Sequence, residues 1–201
     1  MDIVAEAYQQ VKAILDTRIP ANVLPLWKGH HTVELAAAIG VGYTIGSGER
    51  RKGSGLPVWT HLHNAASIGK MFGLGPGEQA ALWLHDIVED SSWTLDDVLT
   101  HFTPYITKLV QGLTQPNFDA PRKVRIDAYH RQLEECCDVT QTCKLIESLT
   151  NVYVIVDDAP KFAPVFLKEK LDLYNRMTKA HPVVRDVFKI FLDEAFAKLE
   201  A

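Results

Sequence analysis

The sequence predicts an all-α fold for this chain of 201 residues, and three features point to it. Apolar residues recur at spacings of three and four, which is the period of one helix face, through most of the chain. Most prolines stand where such a segment begins or ends. No segment shows the sustained alternation of apolar and polar residues that is typical of a half-buried strand. We therefore expect a helical bundle with little or no strand.

The first helices are defined by apolar spacing and by proline. Apolar residues from Ile3 to Ile14 predict an amphipathic helix that Pro20 ends. The stretch from Val33 to about Ile45 is apolar almost all round, so it predicts a buried helix. The glycine-rich stretch that follows, residues 46–57, predicts a surface loop.

Helix-start signals define the following elements. Thr60 is suited to cap a helix that runs to about Phe72, and Pro76 is suited to the first turn of the next helix, roughly residues 77–89. Thr94 begins a capping signal for a short helix, and Pro104 starts another that ends near Leu113. In the second half, apolar spacing predicts helices at roughly 122–136, 139–156, 163–179 and 183–199.

Composition limits the classes of protein to consider. Hydrophobic residues make up 47% of the chain and charged residues 23%, as in a soluble globular protein. The net charge of −4 argues against general binding of nucleic acid, which usually needs a basic surface. No apolar run approaches the roughly 20 residues that cross a bilayer, and the N-terminus lacks the pattern of a secretory signal. We expect a cytoplasmic protein with neither a membrane nor nucleic acid as a partner.

The pair His85-Asp86 is the sharpest chemical feature of the sequence. It lies near the end of a strongly apolar predicted helix, and Glu89 and Asp90 follow it. On a continuous helix the carboxylates of Asp86, Glu89 and Asp90 would share one face, close to the negative end of the helix dipole. A divalent metal ion would offset the repulsion among them. A solvated acidic helix end is the alternative that these residues alone leave open.

A second histidine can come from the preceding helix. The short turn at residues 73–75 predicts that the two helices are antiparallel, so His61 or His63 would lie beside His85. Residues two apart on a helix face different directions, so only one of the two can be a ligand. A structural role for either histidine is the alternative.

A third helix and the glycine-rich loop offer further polar groups. Glu147 has apolar neighbours on both sides, so we expect its carboxylate to be at least partly buried and to need a partner. An exposed glutamate on an amphipathic helix is the alternative. The run Arg50-Arg51-Lys52 lies in the loop before His61, and such a cationic loop beside a metal suits a phosphorylated substrate. A solvated loop is again the alternative.

At these residues the sequence resembles the HD hydrolase domain of the RelA/SpoT-homologue family, and most of all its stand-alone small alarmone hydrolases. Those proteins remove the 3′-pyrophosphate of (p)ppGpp. The family patterns R-K-x-G-x-P-Y-x-x-H and H-D-x-x-E-D are similar to residues 51–61 and 85–90. This register selects His61 over His63. The resemblance covers about residues 36–195, whereas residues 1–30 lie outside it.

The resemblance implies a fold, a metal and a set of site residues. The fold would be the all-α HD-domain helical bundle with an additional N-terminal helix: residues 1–30 would form that helix and a loop, and residues 31–201 the HD phosphohydrolase domain. One divalent ion, Mn²⁺ with Zn²⁺ and Fe²⁺ as alternatives, would be held by His61, His85, Asp86 and Glu147. Glu89 and Asp90 would be the catalytic pair that orients or deprotonates water. The nucleotide would be bound by Arg50, Arg51, Lys52 and Asn151.

The sequence also departs from the family pattern. In the family motif K-L-A-D-R-L-x-N, Glu147 replaces the aspartate and Ser148 replaces the arginine. The loop between Lys52 and His61 has one extra residue, and Gly46 stands where the family has a histidine.

The predicted function is that of a metal-dependent phosphohydrolase that converts (p)ppGpp to GDP or GTP and pyrophosphate. Two alternatives stay open. One is hydrolysis of another phosphorylated nucleotide, such as a nucleoside triphosphate or NADPH, and the other is a degenerate domain that binds a nucleotide without turning it over. The substrate would be a small molecule in either enzyme, and the N-terminal helix could cover the core or join a homodimer.

Overall fold

The structure is a computed structural model that describes residues 2–17, 30–51 and 53–200. Within these residues it contains twelve α-helices and a single isolated antiparallel bridge, between Arg50 and Pro57. The all-α prediction is therefore confirmed. None of the helices in this part of the chain is both long and apolar enough to cross a membrane. The helices are α1 (Ile3–Asp16), α2 (His31–Ser47), α3 (Trp59–Met71), α4 (Pro76–Leu84), α5 (Ile87–Asp90), α6 (Leu95–His101), α7 (Pro104–Leu113), α8 (Arg122–Glu135), α9 (Asp138–Val152), α10 (Ile155–Asp158), α11 (Ala163–Arg176) and α12 (Pro182–Glu200).

The chain divides into two compact units, which are described separately. The first unit, Lys12–Thr114, contains the end of α1 and the helices α2 to α7. The second unit joins Met1–Val11 to Gln115–Ala201 and so contains the start of α1 and the helices α8 to α12. The domain boundary predicted between residues 30 and 31 stays a prediction, and most of the loop before it, residues 18–29, lies outside the described residues.

Helix α4 is the centre of the first unit. Its residues from Gln79 to Leu84 are all buried, and it packs against α2, α3 and α7. Pro76 stands in its first turn, as predicted. The turn from α3 into α4 contains Gly73 at φ +78°, a left-handed conformation that glycine adopts without the usual steric cost. This turn makes α3 and α4 neighbours and brings the start of one beside the end of the other.

The prediction of one helix over roughly residues 77–89 is wrong in one respect: the helix is interrupted at His85-Asp86. Helix α4 ends at Leu84, and the imidazole of His85 donates from Nδ1 to the carbonyl oxygen of Leu82 at 2.7 Å. Such a side-chain bond competes with the main-chain bonding of the last helical turn. A new turn, α5, then starts where the carbonyl of Asp86 accepts from the backbone N–H of Glu89 at 3.1 Å and of Asp90 at 2.9 Å.

Other helix ends agree with the sequence or shift by a few residues. Thr94 makes the predicted capping box with Asp97, and α7 begins at Pro104 and ends at Leu113 as predicted. Thr60 is not the cap of α3: the cap is Val58, and the Thr60 hydroxyl donates to the carbonyl of Pro57 at 2.7 Å. The helix predicted at 139–156 is divided into α9 and α10.

Helix α9 is the most deeply buried element of the second unit. Every residue from Thr140 to Thr150 is buried, polar residues included, and the helix packs against α8, α11 and α12. The start of α1 lies on α12: the ring of Tyr8 is 4.9 Å from that of Phe191, and the Tyr8 hydroxyl donates to Glu194 at 2.6 Å.

Candidate metal centre

Three side chains of the first unit converge at the end of α4. The Nε2 atoms of His61 and His85 lie 2.9 Å apart, and the carboxylate of Asp86 is 3.7 Å from His61 Nε2 and 3.3 Å from His85 Nε2. Within the described residues these three are the group whose ligand atoms could hold one metal ion, all lying within 4.8 Å of one another. Both imidazoles are buried, whereas the Asp86 side chain is 26% exposed, so the cluster is open on its carboxylate side.

The donor set of this cluster fits a divalent metal. The carbonyl of Leu82 can only accept, so His85 carries its hydrogen on Nδ1 and presents a bare Nε2 to the cluster whenever the ring is neutral. The Nε2 atoms of His61 and His85 lie 2.9 Å apart, so both nitrogens would be within reach of one divalent ion bound beside them. Without an ion, a hydrogen bond from His61 Nε2 to His85 Nε2 satisfies the same geometry.

The predicted antiparallel packing of α3 and α4 allowed either His61 or His63 to lie beside His85, and in the structure it is His61. His61 lies in the cluster with His85. His63 lies edge-on to the ring of Trp83, with centroids 5.8 Å apart, and its Nδ1 is 3.4 Å from the side-chain oxygen of Asn64. Burial lowers the pKa of His63 below its usual value, which favours a neutral packing histidine.

Further carboxylates lie near Asp86, and we call Glu49, Glu89 and Asp90 the acidic rim. Although part of the Asp90 side chain is exposed, its burial and the nearby carboxylates of Asp86 and Glu49 raise its pKa to about 6. Glu89 is exposed on the same short helix. The two predicted catalytic carboxylates therefore lie near the predicted ligands, and Glu49 joins them. Glu49 was not among the predicted site residues, because its distance in sequence from His85 hides this proximity.

A further side chain at the rim, Tyr43, was also missed by sequence reasoning. Its hydroxyl is buried, and no hydrogen-bond partner for it lies within the described residues. Burial raises the pKa of Tyr43 far above its usual value, and the charges of Asp86, Asp90 and Glu89 raise it further. A tyrosine in the apolar helix α2 reads as a packing residue from sequence, so no local signal could have identified it.

The predicted phosphate-binding loop is folded on itself. Its two sides meet at the Arg50–Pro57 bridge, and the backbone of Arg51 bonds to Leu56 and Gly55 at 2.8 and 3.0 Å. The guanidinium of Arg50 donates to the carbonyl of Gly55 at 2.9 Å, which ties this cation to its own loop. Lys52 lies outside the described residues, so its predicted role stays a prediction.

Glu147 and Asn151 belong to the second unit and lie one turn apart on α9. Glu147 is buried, as predicted, at 3% exposure, and its carboxylate pairs with the ammonium of Lys144 and accepts from the Ser148 hydroxyl at 2.9 Å. The Lys170 ammonium in turn donates to Ser148 at 3.0 Å. The roles of Glu147 as fourth ligand and of Asn151 in nucleotide binding stay predictions.

Lys144, Glu147 and Ser148 of α9 and Lys170 of α11 form a buried polar cluster, in which burial and charge both affect the pKa values of the two lysines. Burial alone would lower the pKa of Lys144, but the charge of Glu147 outweighs it and holds that pKa above its usual value. Burial and the charge of Lys144 lower the pKa of Lys170 to about 8. The negative charge of Glu147 therefore already has a cationic partner within its own unit.

Comparison with known proteins identifies the fold. No family model matches the chain. Among solved structures, that of a metazoan ortholog of SpoT, described as hydrolysing ppGpp and as having a role in starvation responses, aligns with a TM-score of 0.73 and 17% identity over 85% of this chain and 97% of that chain. This likeness confirms the predicted HD-domain helical fold, to which α1 adds an N-terminal helix.

One curated protein shows a local likeness in sequence. The GTP pyrophosphokinase of Streptomyces coelicolor is 38% identical over 68 residues, which are 34% of this chain. The match covers only 8% of that protein's length, so this chain corresponds to a small part of it.

Proposed function

We propose that this protein is a metal-dependent phosphohydrolase that removes the 3′-pyrophosphate of (p)ppGpp, yielding GDP or GTP and pyrophosphate. The observation that carries the proposal is the convergence of His61, His85 and Asp86 at the end of α4, where further carboxylates form a rim. The likeness in fold to a protein described as hydrolysing ppGpp supports the choice of nucleotide. The local identity to a GTP pyrophosphokinase supports it as well.

The ligand set defines which ions to test. Two imidazole nitrogens and carboxylate oxygens do not select one first-row metal. The resemblance in sequence makes Mn²⁺ our first choice, with Zn²⁺ and Fe²⁺ as alternatives. A divalent ion bound there would polarise a phosphate oxygen and lower the pKa of a coordinated water. Glu147 remains our proposed fourth ligand on the strength of its motif position.

The chain's own side chains would carry out the remaining steps. Glu89 and Asp90 would orient the attacking water and accept its proton, because both carboxylates lie at the rim of the ligand cluster. Arg50, Arg51 and Lys52 would bind the phosphates through charge, and Asn151 would contact the nucleoside. The buried imidazoles of His61 and His85 exclude water from one side of the site, which strengthens the electrostatic effects on the reacting groups.

The decisive experiment incubates the purified protein with ppGpp and Mn²⁺ and quantifies GDP and pyrophosphate by chromatography. We expect GDP formation that requires the metal and is lost in Asp86→Ala. The matched control is Asp96→Ala, which removes an exposed carboxylate of α6 and should leave the rate unchanged.

Each alternative has its own outcome in this experiment. If no metal supports GDP formation, the assignment of ppGpp as substrate fails. Release of pyrophosphate or orthophosphate from a nucleoside triphosphate or from NADPH would then identify another nucleotide hydrolase. Stoichiometric metal binding with no turnover of any nucleotide would identify a non-catalytic binding domain.

A further inference from the structure

Helix α2 passes the end of α4 at very close range. At Gly40 there is no room for a side chain, because a Cβ would lie 2.7 Å from the carbonyl oxygen of Trp83. Tyr43 follows three residues later and so lies on the same side of α2. Since His85 and Asp86 follow Trp83, this approach brings Tyr43 to the same end of α4 as the candidate metal centre.

The hydroxyl of Tyr43 is buried and is a hydrogen-bonding group with no partner in the part of the chain that the structure describes. Most buried polar groups in native proteins are satisfied, and an exception calls for a specific explanation, such as a bound water or a catalytic role. The groups that affect Tyr43 are carboxylates: Asp86, Asp90, Glu89 and Glu49 all raise its pKa in addition to the effect of burial. The hydroxyl therefore keeps its proton and can donate it to a hydrogen bond at any physiological pH.

The surroundings limit what that partner can be. The hydroxyl is covered from bulk solvent, so the partner must be small. A water molecule meets this limit, because it can donate to the carboxylates and accept from Tyr43. A buried water needs two to four polar partners, and we assign that role to Tyr43 together with the carboxylates whose charges act on it.

We propose that Tyr43 is a further catalytic residue, whose hydroxyl donates a hydrogen bond to the attacking water and holds it between the rim carboxylates and the phosphorus. This inference rests on the proposed function. The water oxygen forms the new bond to phosphorus, its proton passes to Asp90 or Glu89, and the bond from phosphorus to the 3′ oxygen breaks. That oxygen takes a proton from solvent, and Tyr43 keeps its own proton throughout.

The test is Tyr43→Phe, which removes the hydroxyl and leaves the ring. Because no described residue makes a hydrogen bond to the hydroxyl, the variant should unfold at the same urea concentration as the wild type or a higher one. The dissociation constant for Mn²⁺ should change by less than about twofold. The kcat for ppGpp should fall about tenfold or more, with KM within about twofold of the wild-type value.

A matched control is Tyr105→Phe in the same unit. The Tyr105 hydroxyl donates to Glu78, away from the candidate centre, so this variant should keep its kcat and lose a little stability. Tyr43→Phe should therefore lose rate and keep its stability, whereas Tyr105→Phe should keep its rate and lose some stability. A purely structural role for Tyr43 would not produce that contrast.

The pH profile gives a second readout. A hydrogen bond from Tyr43 stabilises the anion that forms when the water loses its proton, so its loss should move the acidic limb of the kcat/KM profile to higher pH. Wild-type kcat and an unshifted profile in Tyr43→Phe would overturn the role of Tyr43 and leave the proposed function intact. A rate loss accompanied by weaker Mn²⁺ binding or lower stability would overturn it too. If the wild type turns over no nucleotide, the proposed function fails and the role of Tyr43 fails with it.

Discussion

Gly40 on α2 and Trp83 on α4 are in backbone contact: a Cβ at Gly40 would lie 2.7 Å from the Trp83 carbonyl oxygen and 3.3 Å from its ring. The ring and carbonyl of Trp83 are fully buried, so neither can move aside cheaply. His85 and Asp86 follow immediately along the chain. The contact therefore fixes the position of the helix end that carries two of the three clustered ligand side chains.

Gly40→Ala is expected to disturb both the core and the metal centre. The added methyl group must displace α2 from α4, which should cost about 1–3 kcal/mol in the free energy of unfolding and weaken Mn²⁺ binding. The control is Gly42→Ala on the same helix, where a Cβ would meet nothing within 4 Å. That variant should gain about 0.5–1 kcal/mol, because alanine restricts the unfolded chain and favours the helix. Urea unfolding and calorimetric titration measure both effects, and equal stability of the two variants would contradict the contact.

Local signals in the sequence were sufficient for most helix ends. Pro104 begins its helix as predicted because its fixed φ suits a first turn and it has no N–H to leave unsatisfied. Thr94 begins another because its hydroxyl can satisfy a free N–H of the first turn. The meeting of His61 with His85 followed from one short turn, which makes consecutive helices antiparallel.

Features that depend on tertiary contacts were not predictable in the same way. The break after Leu84 coincides with a bond from the His85 ring to the Leu82 carbonyl, and helical periodicity contains no sign of it. The rim residues Glu49 and Tyr43 are identified by their positions beside Asp86 and Asp90, which only the packing of α2 and its loop establishes. The carboxylate of Glu147 was expected to be buried, but its pairing with Lys144 was not.

His61→Gln and His63→Gln should differ in their response to metal. Mn²⁺ that binds only the folded state stabilises it, by about 2.7 kcal/mol when the free ion is at a hundred times its dissociation constant. We expect the ion to raise the melting temperature of the wild type and of His63→Gln, because His63 lies against Trp83 outside the cluster. His61→Gln should show little or no rise. Differential scanning fluorimetry with and without Mn²⁺ makes the comparison, and an equal rise in both variants would exclude His61 as a ligand.

Lys144→Met is expected to destabilise the second unit strongly. It removes the cationic partner of Glu147 and leaves a carboxylate that is 3% exposed, a change that typically costs about 3–5 kcal/mol. The double variant Lys144→Met with Glu147→Gln should recover part of that loss, because the carboxylate charge that lost its partner is then removed as well. Lys189→Met is the control, since Lys189 pairs with Asp193 at the surface and should contribute less than about 0.5 kcal/mol. Urea unfolding of the four proteins tests this, and a small effect of Lys144→Met would mean that Glu147 is balanced by another group.

His130 should make the protein less stable as the pH falls. Burial lowers its pKa below the usual 6.5, together with the charges of Lys170 and Lys144 and despite its 2.7 Å contact with Asp172. Below about pH 6.5 the unfolded state therefore binds a proton that the folded state resists, so stability that is present at higher pH is lost through this range. His130→Asn keeps a donor near the position of Nδ1 but does not titrate, so its free energy of unfolding should fall less between pH 7.5 and pH 5.5. His181→Asn, at an exposed histidine, should leave the wild-type slope unchanged. Equal slopes in all three proteins would mean that His130 takes up its proton as readily in the folded state as in the unfolded chain.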